Sequence, residues 1–196
     1  MREGTTRAGF FEAALLAGGG VAVGGVLIGG LPDLATSKPS AKQDAEILNF
    51  ALLMEYIQAG FYEAALAGNV LDGEMREFAE TVGGQEREHI DFIKGVLGTG
   101  ARKEPELDFG ADISTADRFA TSAFKLEDLG VAAYNTQAPN LTKGALAEAA
   151  KIVSVEARHA AWIRAIVGEN PAPDAAEPPA SAKRVISTLD GSGYVQ

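Results

Sequence analysis

Apolar positions recur every three to four residues along four long stretches of this chain, the period of an α-helix with one buried face. The first predicted helix runs from about Ser40 to Leu66. Ile47, Leu48, Ala51, Leu52, Glu55, Ala59 and Tyr62 fall on its apolar stripe, Ser40 and Gln43 form a capping box, and Pro39 stands just outside. The second runs from about Gly73 to Leu97 and stops at Gly98-Thr99-Gly100. The third runs from about Ser114, with Asp117 completing a capping signal, to Asn135, with Pro139 beyond its end. The fourth runs from about Thr142 to Val167, where Gly168, Asn170 and Pro171 end it. No β-alternation separates them, so the predicted class is all-α.

The connections predict how the helices pack. Two are short, near Gly68–Asp72 and Gln137–Leu141. The middle one, Gly98 to Ile113, spans on the order of 50 Å when extended, and a 25-residue helix is only about 38 Å long. The second and third helices can therefore be joined by one long crossover running the length of a four-helix bundle. After Gly168 the chain is rich in Pro and Ala, and a short helix over Ala182–Leu189 could dock on the bundle. The expected organisation is residues 1–37 as a leader, 38–168 as the bundle and 169–196 as a Pro-rich C-terminal tail.

Composition changes the picture at two points. Ala13 to Leu31 carries no charge and follows Arg2 and Arg7, as in an export signal, and it is nearly long enough to act as an N-terminal membrane anchor. Thr6-Arg7-Ala8-Gly9-Phe10-Phe11 resembles a twin-arginine signal with Ala8 in place of the second arginine. The expected location is therefore the periplasm or cell envelope. A net charge of −10 and the lack of basic runs argue against nucleic acid as a partner. With no cysteine, disulfides and thiol catalysis are excluded.

The chemistry lies in the two histidines, each three residues after a glutamate: Glu86-Arg87-Glu88-His89 and Glu156-Ala157-Arg158-His159. Positions i and i+3 share a helix face, so each pair presents a carboxylate and an imidazole together. Glu55 and Glu127 stand on the apolar stripes of the other two helices. All four glutamates lie about 20 Å along their helices and reach one level of the bundle. Four carboxylates in an apolar core repel one another and lose hydration, and two divalent cations cancel their charge. Glu55, Glu86, His89, Glu127, Glu156 and His159 are therefore the predicted ligands of two metal ions, Fe or Mn. Tyr62 and Tyr134 stand seven residues beyond Glu55 and Glu127, on the ligand face, and are expected to be core tyrosines with satisfied hydroxyls rather than redox groups. Gly83 and Gly130 flank Glu86 and Glu127 and are expected to leave room beside the metals for a small oxidant.

In combination, several stretches resemble bacterial ferritin-like domain proteins related to plant desiccation-associated proteins. They are Asp44 to Leu52 leading to Glu55-Tyr56 and Phe61-Tyr62; Glu86 to His89; Glu106-Leu107-Asp108-Phe109; Leu126 to Tyr134; and Val155 to Ala161. The resemblance covers roughly residues 44–190. It implies a ferritin-like four-helix bundle, a dinuclear metal site and export. The function expected from residues and resemblance together is an exported di-iron or di-manganese protein, redox-active towards peroxide, O2 or Fe(II). The alternative is a stress or desiccation protein whose metals only hold the bundle together. An export segment and a Pro-rich tail suit a monomer or homodimer better than a closed storage cage.

Overall fold

The structure, a computed structural model, describes residues 38–176 and 181–196. Its helices are α1 (Ala41–Ala67), α2 (Gly73–Leu97), α3 (Ala116–Gln137), α4 (Lys143–Ile166) and α5 (Ala182–Ser192). Among the described residues no strand occurs, only an isolated bridge between Leu107 and Val195. The all-α bundle with its long connection between α2 and α3 is the predicted fold. The expected export signal or anchor, residues 1–37 with the uncharged run 13–31, lies outside the described residues. No described helix is long and apolar enough to cross a membrane.

Capping chemistry fixes most of the helix starts. Ser40 accepts the Gln43 N–H at 3.3 Å, and Thr142 accepts the Ala145 N–H at 3.5 Å. The third helix departs from expectation. Its N-cap is Thr115, which accepts the Arg118 N–H at 3.3 Å. Ser114 closes the preceding 3-10 turn instead, donating its hydroxyl to the Ala111 carbonyl at 2.7 Å. The helix also continues two residues past Asn135, to Gln137, and Pro139 follows in a 3-10 turn over Ala138–Asn140. Gly98, at φ +56°, ends α2 and turns the chain into the crossover.

The principal packing partners are α1 with α2 and α3 with α4. Buried Asp44 near the start of α1 bolts that end to α4, accepting the Thr142 N–H at 2.9 Å and its hydroxyl at 2.5 Å. The crossover then climbs alongside α1. Asn49 donates to the Gly100 carbonyl at 3.0 Å and accepts the Arg102 N–H at 2.8 Å. Tyr56 donates to the Arg102 carbonyl at 3.2 Å, and Leu107 and Phe109 arrive beside Gly60. From Asn49 to Gly60 the crossover rises about 17 Å along the α1 axis, as one long connection in a four-helix bundle requires.

This cover explains why one apolar stripe understates α1. Every residue from Ile47 to Ala59 is buried, which demands partners on all sides. The crossover and α5 supply them. Phe61 stacks on Phe119 at 5.1 Å and meets Phe109 edge-on at 5.5 Å. Val185, Leu189 and Tyr194 from the C-terminal segment are buried in the same core. Backbone bonds from Asp108 N to Tyr194 O (2.9 Å) and Gln196 N to Glu106 O (3.1 Å) fasten that segment to the crossover. The short helix expected over Ala182–Leu189 thus forms, runs on to Ser192, and docks.

Leu189→Ala is expected to lower the unfolding free energy by roughly 2–5 kcal/mol, the range for removing a buried leucine. Urea unfolding checks this; a loss below about 1 kcal/mol would mean that α5 contributes little to the core.

Candidate metal centre

Each of the four bundle helices delivers a carboxylate to one point. Glu55 comes from α1, Glu86 from α2, Glu127 from α3 and Glu156 from α4, and all four are fully buried. His89 and His159 follow one turn after Glu86 and Glu156 and are buried too, at 8% and 3% exposure. The structure brings all six residues together.

They form two overlapping groups. Glu55, Glu86, His89 and Glu156 make one; Glu86, Glu127, Glu156 and His159 make the other. Within each group the potential ligand atoms lie within 4.8 Å of one another. Glu86 and Glu156 belong to both groups and stand between the two positions, while Glu55 with His89 and Glu127 with His159 terminate them. Both imidazoles point Nδ1 inward. His89 Nδ1 lies 3.2 Å from Glu55, 2.9 Å from Glu86 and 3.2 Å from Glu156. His159 Nδ1 lies 3.0 Å from Glu86, 3.4 Å from Glu127 and 3.9 Å from Glu156. The rings face each other 6.0 Å apart.

Electrostatics record the strain of this crowding. Burial, then the charge of Glu86, push the Glu55 carboxyl up to about 8. Burial, then the charge of Glu55, push Glu156 up to about 7. Burial disfavours charge on the imidazoles, but contacts with the carboxylates outweigh it and raise His89 to about 12 and His159 to about 10. Protons therefore supply countercharge when no metal is bound. Four donor atoms make no well-formed hydrogen bond and meet one another and His89 Nδ1 instead: Glu86 Oε1, Glu127 Oε2, Glu156 Oε1 and His159 Nδ1. They are the atoms that converge at the second position, in a set of hard oxygens and imidazole nitrogen that suits a divalent cation. The residues could hold metal ions.

The surrounding polar groups were only partly expected. Tyr62 donates to Glu127 and Tyr134 to Glu55, so each tyrosine serves the glutamate of the other helix. Both hydroxyls are satisfied and are held in their phenol form by burial and the adjacent carboxylate charge. Gln58 is fully buried and donates to Glu127 Oε1 and Glu156 Oε2, each at 3.2 Å. Gln85 Oε1 meets His159 Nε2 at 2.6 Å, the outer partner that orients a ligating imidazole. Neither glutamine was predicted. Gln58 carried a signal, since it stands at i+3 from Glu55 and so on the ligand face. Gln85 carried none, because its partner lies on α4.

The glycines play a different part from the one expected. A Cβ on Gly83 would lie 2.9 Å from the Tyr62 Cβ, so Gly83 admits the tyrosine and brings α2 close to α1. A Cβ on Gly130 would lie 2.6 Å from Glu156 Oε2 and 3.2 Å from Gln58 Nε2. The space at these two glycines is filled by protein, so they leave no room there for an oxidant.

Residues 43–169 match the family model of the ferritin-like domain. A search of curated proteins finds no match.

The raised acid and imidazole values set the sign of a pH dependence. Without metal, the folded chain holds protons on Glu55 and Glu156 above their ordinary 4.5 and on both histidines above their ordinary 6.5. It binds more protons than the unfolded chain, so this contribution is complete at acid pH and is lost as pH rises. Tm of the metal-free protein should fall between about pH 5 and about pH 8, and metal, which must displace those protons, should bind more tightly over the same range. Thermal melts and calorimetry in two buffers of different ionisation enthalpy check both; a rising Tm without proton release would contradict the protonated cluster.

Proposed function

The chain belongs to the ferritin-like domain family, and on that footing we propose that it is a dinuclear iron or manganese protein, redox-active towards peroxide, O2 or Fe(II). The observation that carries this is the pair of overlapping donor groups that share Glu86 and Glu156. Shared carboxylates between two positions are what a dinuclear site needs, and a single-ion site has no use for a second terminal Glu and His.

In this proposal Glu55, Glu86, His89 and Glu156 would hold one ion and Glu86, Glu127, Glu156 and His159 the other, with Glu86 and Glu156 common to both. Bound iron or manganese supplies a change of oxidation state and a coordination position for a small oxidant or for Fe(II). The chain's own residues do the rest. Tyr134 and Tyr62 anchor the outer oxygens of Glu55 and Glu127 and leave the inner oxygens to ligate. Complete burial of the four carboxylates excludes bulk water and larger molecules, so only a small reactant is admitted. Export to the cell envelope belongs to the same proposal and is supported by the sequence of residues 1–37 alone.

The same burial favours a second reading, in which the ions serve only to hold four helices together. Turnover separates the two.

Protein purified without added metal should carry close to two Fe or Mn per chain by mass spectrometry, a stoichiometry drawn from the two-position model. Glu86→Ala should abolish dinuclear loading, and full metal content in that variant would refute its place in both positions. Metal-loaded protein that melts far higher than the metal-free form but consumes neither peroxide nor Fe(II) would establish the structural reading.

A further inference from the structure

The site has a near two-fold arrangement. Glu55 on α1 answers to Glu127 on α3, the α2 pair Glu86/His89 answers to the α4 pair Glu156/His159, and Tyr134 and Tyr62 cap the two terminal glutamates in the same manner. Two polar side chains break this symmetry. Gln58 follows Glu55 by three residues, and the corresponding place after Glu127 is Gly130. Gln85 precedes Glu86, and the corresponding place before Glu156 is apolar Val155.

Both exceptions bear on the Glu127/His159 position: Gln85 through His159, and Gln58 through Glu127 and through Glu156, which the two positions share. Gln58 Nε2 binds Glu127 Oε1 and Glu156 Oε2, so Glu127 Oε1 accepts from Gln58 as well as Tyr62, whereas Glu55 Oε1 accepts from Tyr134. The small Gly130 is what admits the Gln58 amide, because any side chain there would meet Glu156 Oε2 and Gln58 itself. Gln58 Oε1 is buried without a hydrogen-bond partner, as expected of a group retained for what its other end does. Gln85 Oε1 fixes His159 Nε2 at 2.6 Å. Across the axis, Val155 has no side-chain acceptor to offer His89, the more exposed of the two imidazoles at 8% against 3%.

From this asymmetry we infer that the two metal positions are unequal: the Glu127/His159 position is preorganised by Gln58 and Gln85 and fills first, and the Glu55/His89 position fills second and exchanges more readily. Outer-sphere partners of this kind fix ring orientation and carboxylate rotation before the ion arrives, and their loss typically weakens metal affinity by 10–100-fold. The inference rests on the dinuclear proposal above. Gln58 and Gln85 act through the ligands and are positioning residues.

The test is anaerobic titration of the metal-free full chain with Co(II), followed by calorimetry and by the visible absorption of the ion. Two steps are expected, separated by tenfold or more. Gln85→Val, which copies Val155, should weaken the first step by about 10–100-fold and leave the second nearly unchanged. Gln85→Glu should retain the first step, because a carboxylate also accepts from the imidazole. Val155→Gln should tighten the second step by giving His89 an acceptor. Two equal steps in the unaltered chain, or equal weakening of both steps in Gln85→Val, would overturn the inference while leaving the dinuclear site intact. Failure of the unaltered chain to bind Co(II) would overturn both.

Discussion

Four carboxylates buried within reach of one another are the constraint on which this structure depends. Like charges at such separations cannot all be ionised in an apolar core without nearby countercharge. The helices of the bundle each contribute one of these groups, so no pair of helices can approach without enclosing the charge. The raised values of Glu55 and Glu156, and the protonated imidazoles beside them, are the response of the isolated chain. Two divalent cations would answer the same demand more completely, with +4 against −4 and strong bonds to oxygens that otherwise meet only the imidazoles.

The packing around the site makes that concentration of charge tolerable. Helix α1 is enclosed on every side, by α2, the crossover, α3 and the C-terminal segment. An aromatic cluster of Phe61, Phe109, Phe119 and Tyr194 lies above the site, and Leu48, Leu52, Ile93 and Ile152 fill the core on its other side. The two tyrosines then cross between α1 and α3, each borrowing its acceptor from the opposite helix. Their hydroxyls satisfy the outer carboxylate oxygens, so that only the inward-facing atoms remain to be neutralised.

The parts legible in the sequence were those written within single helices. Periodicity gave four helices because each buries a stripe, and the Glu-x-x-His spacing gave four of the six ligand residues because i and i+3 share a face. Glu55 and Glu127 followed from depth along their helices, which is also a one-dimensional property. What remained hidden depends on contacts between elements. Asp44 reads as an ordinary first-turn acid, yet it is buried against Thr142 on α4. Gln85 reads as a surface residue and orients an imidazole 74 positions away. Gly83 and Gly130 were legible as anomalies in helix interiors, but their cause was not. A missing Cβ signals close approach without saying whether a bound molecule or the protein itself comes near, and here it is Tyr62 at Gly83 and Glu156 with Gln58 at Gly130. The docking helix over Ala182–Leu189 was legible as a short amphipathic stretch, but its extension to Ser192 and the return of Tyr194 to the core were not, because they are set by contacts with the crossover.

Under the proposal of a dinuclear centre, the make-up of the site favours a redox role over a merely adhesive one. A bundle held together only by packing would be better served by leucines at the four glutamate positions, since replacing buried ionic groups with well-packed apolar ones is often neutral or stabilising. The chain instead keeps four acids, two imidazoles, two tyrosines and two glutamines at one level, and places glycines where the helices must close around them. Local rules of core composition are broken together, at one place, in a fold that elsewhere obeys them. Such concentrated violations are the mark of a functional site. Its donor set of carboxylate oxygen and imidazole nitrogen, without thiolate, suits the iron or manganese of the proposal, ions whose change of oxidation state a purely structural clasp would not require.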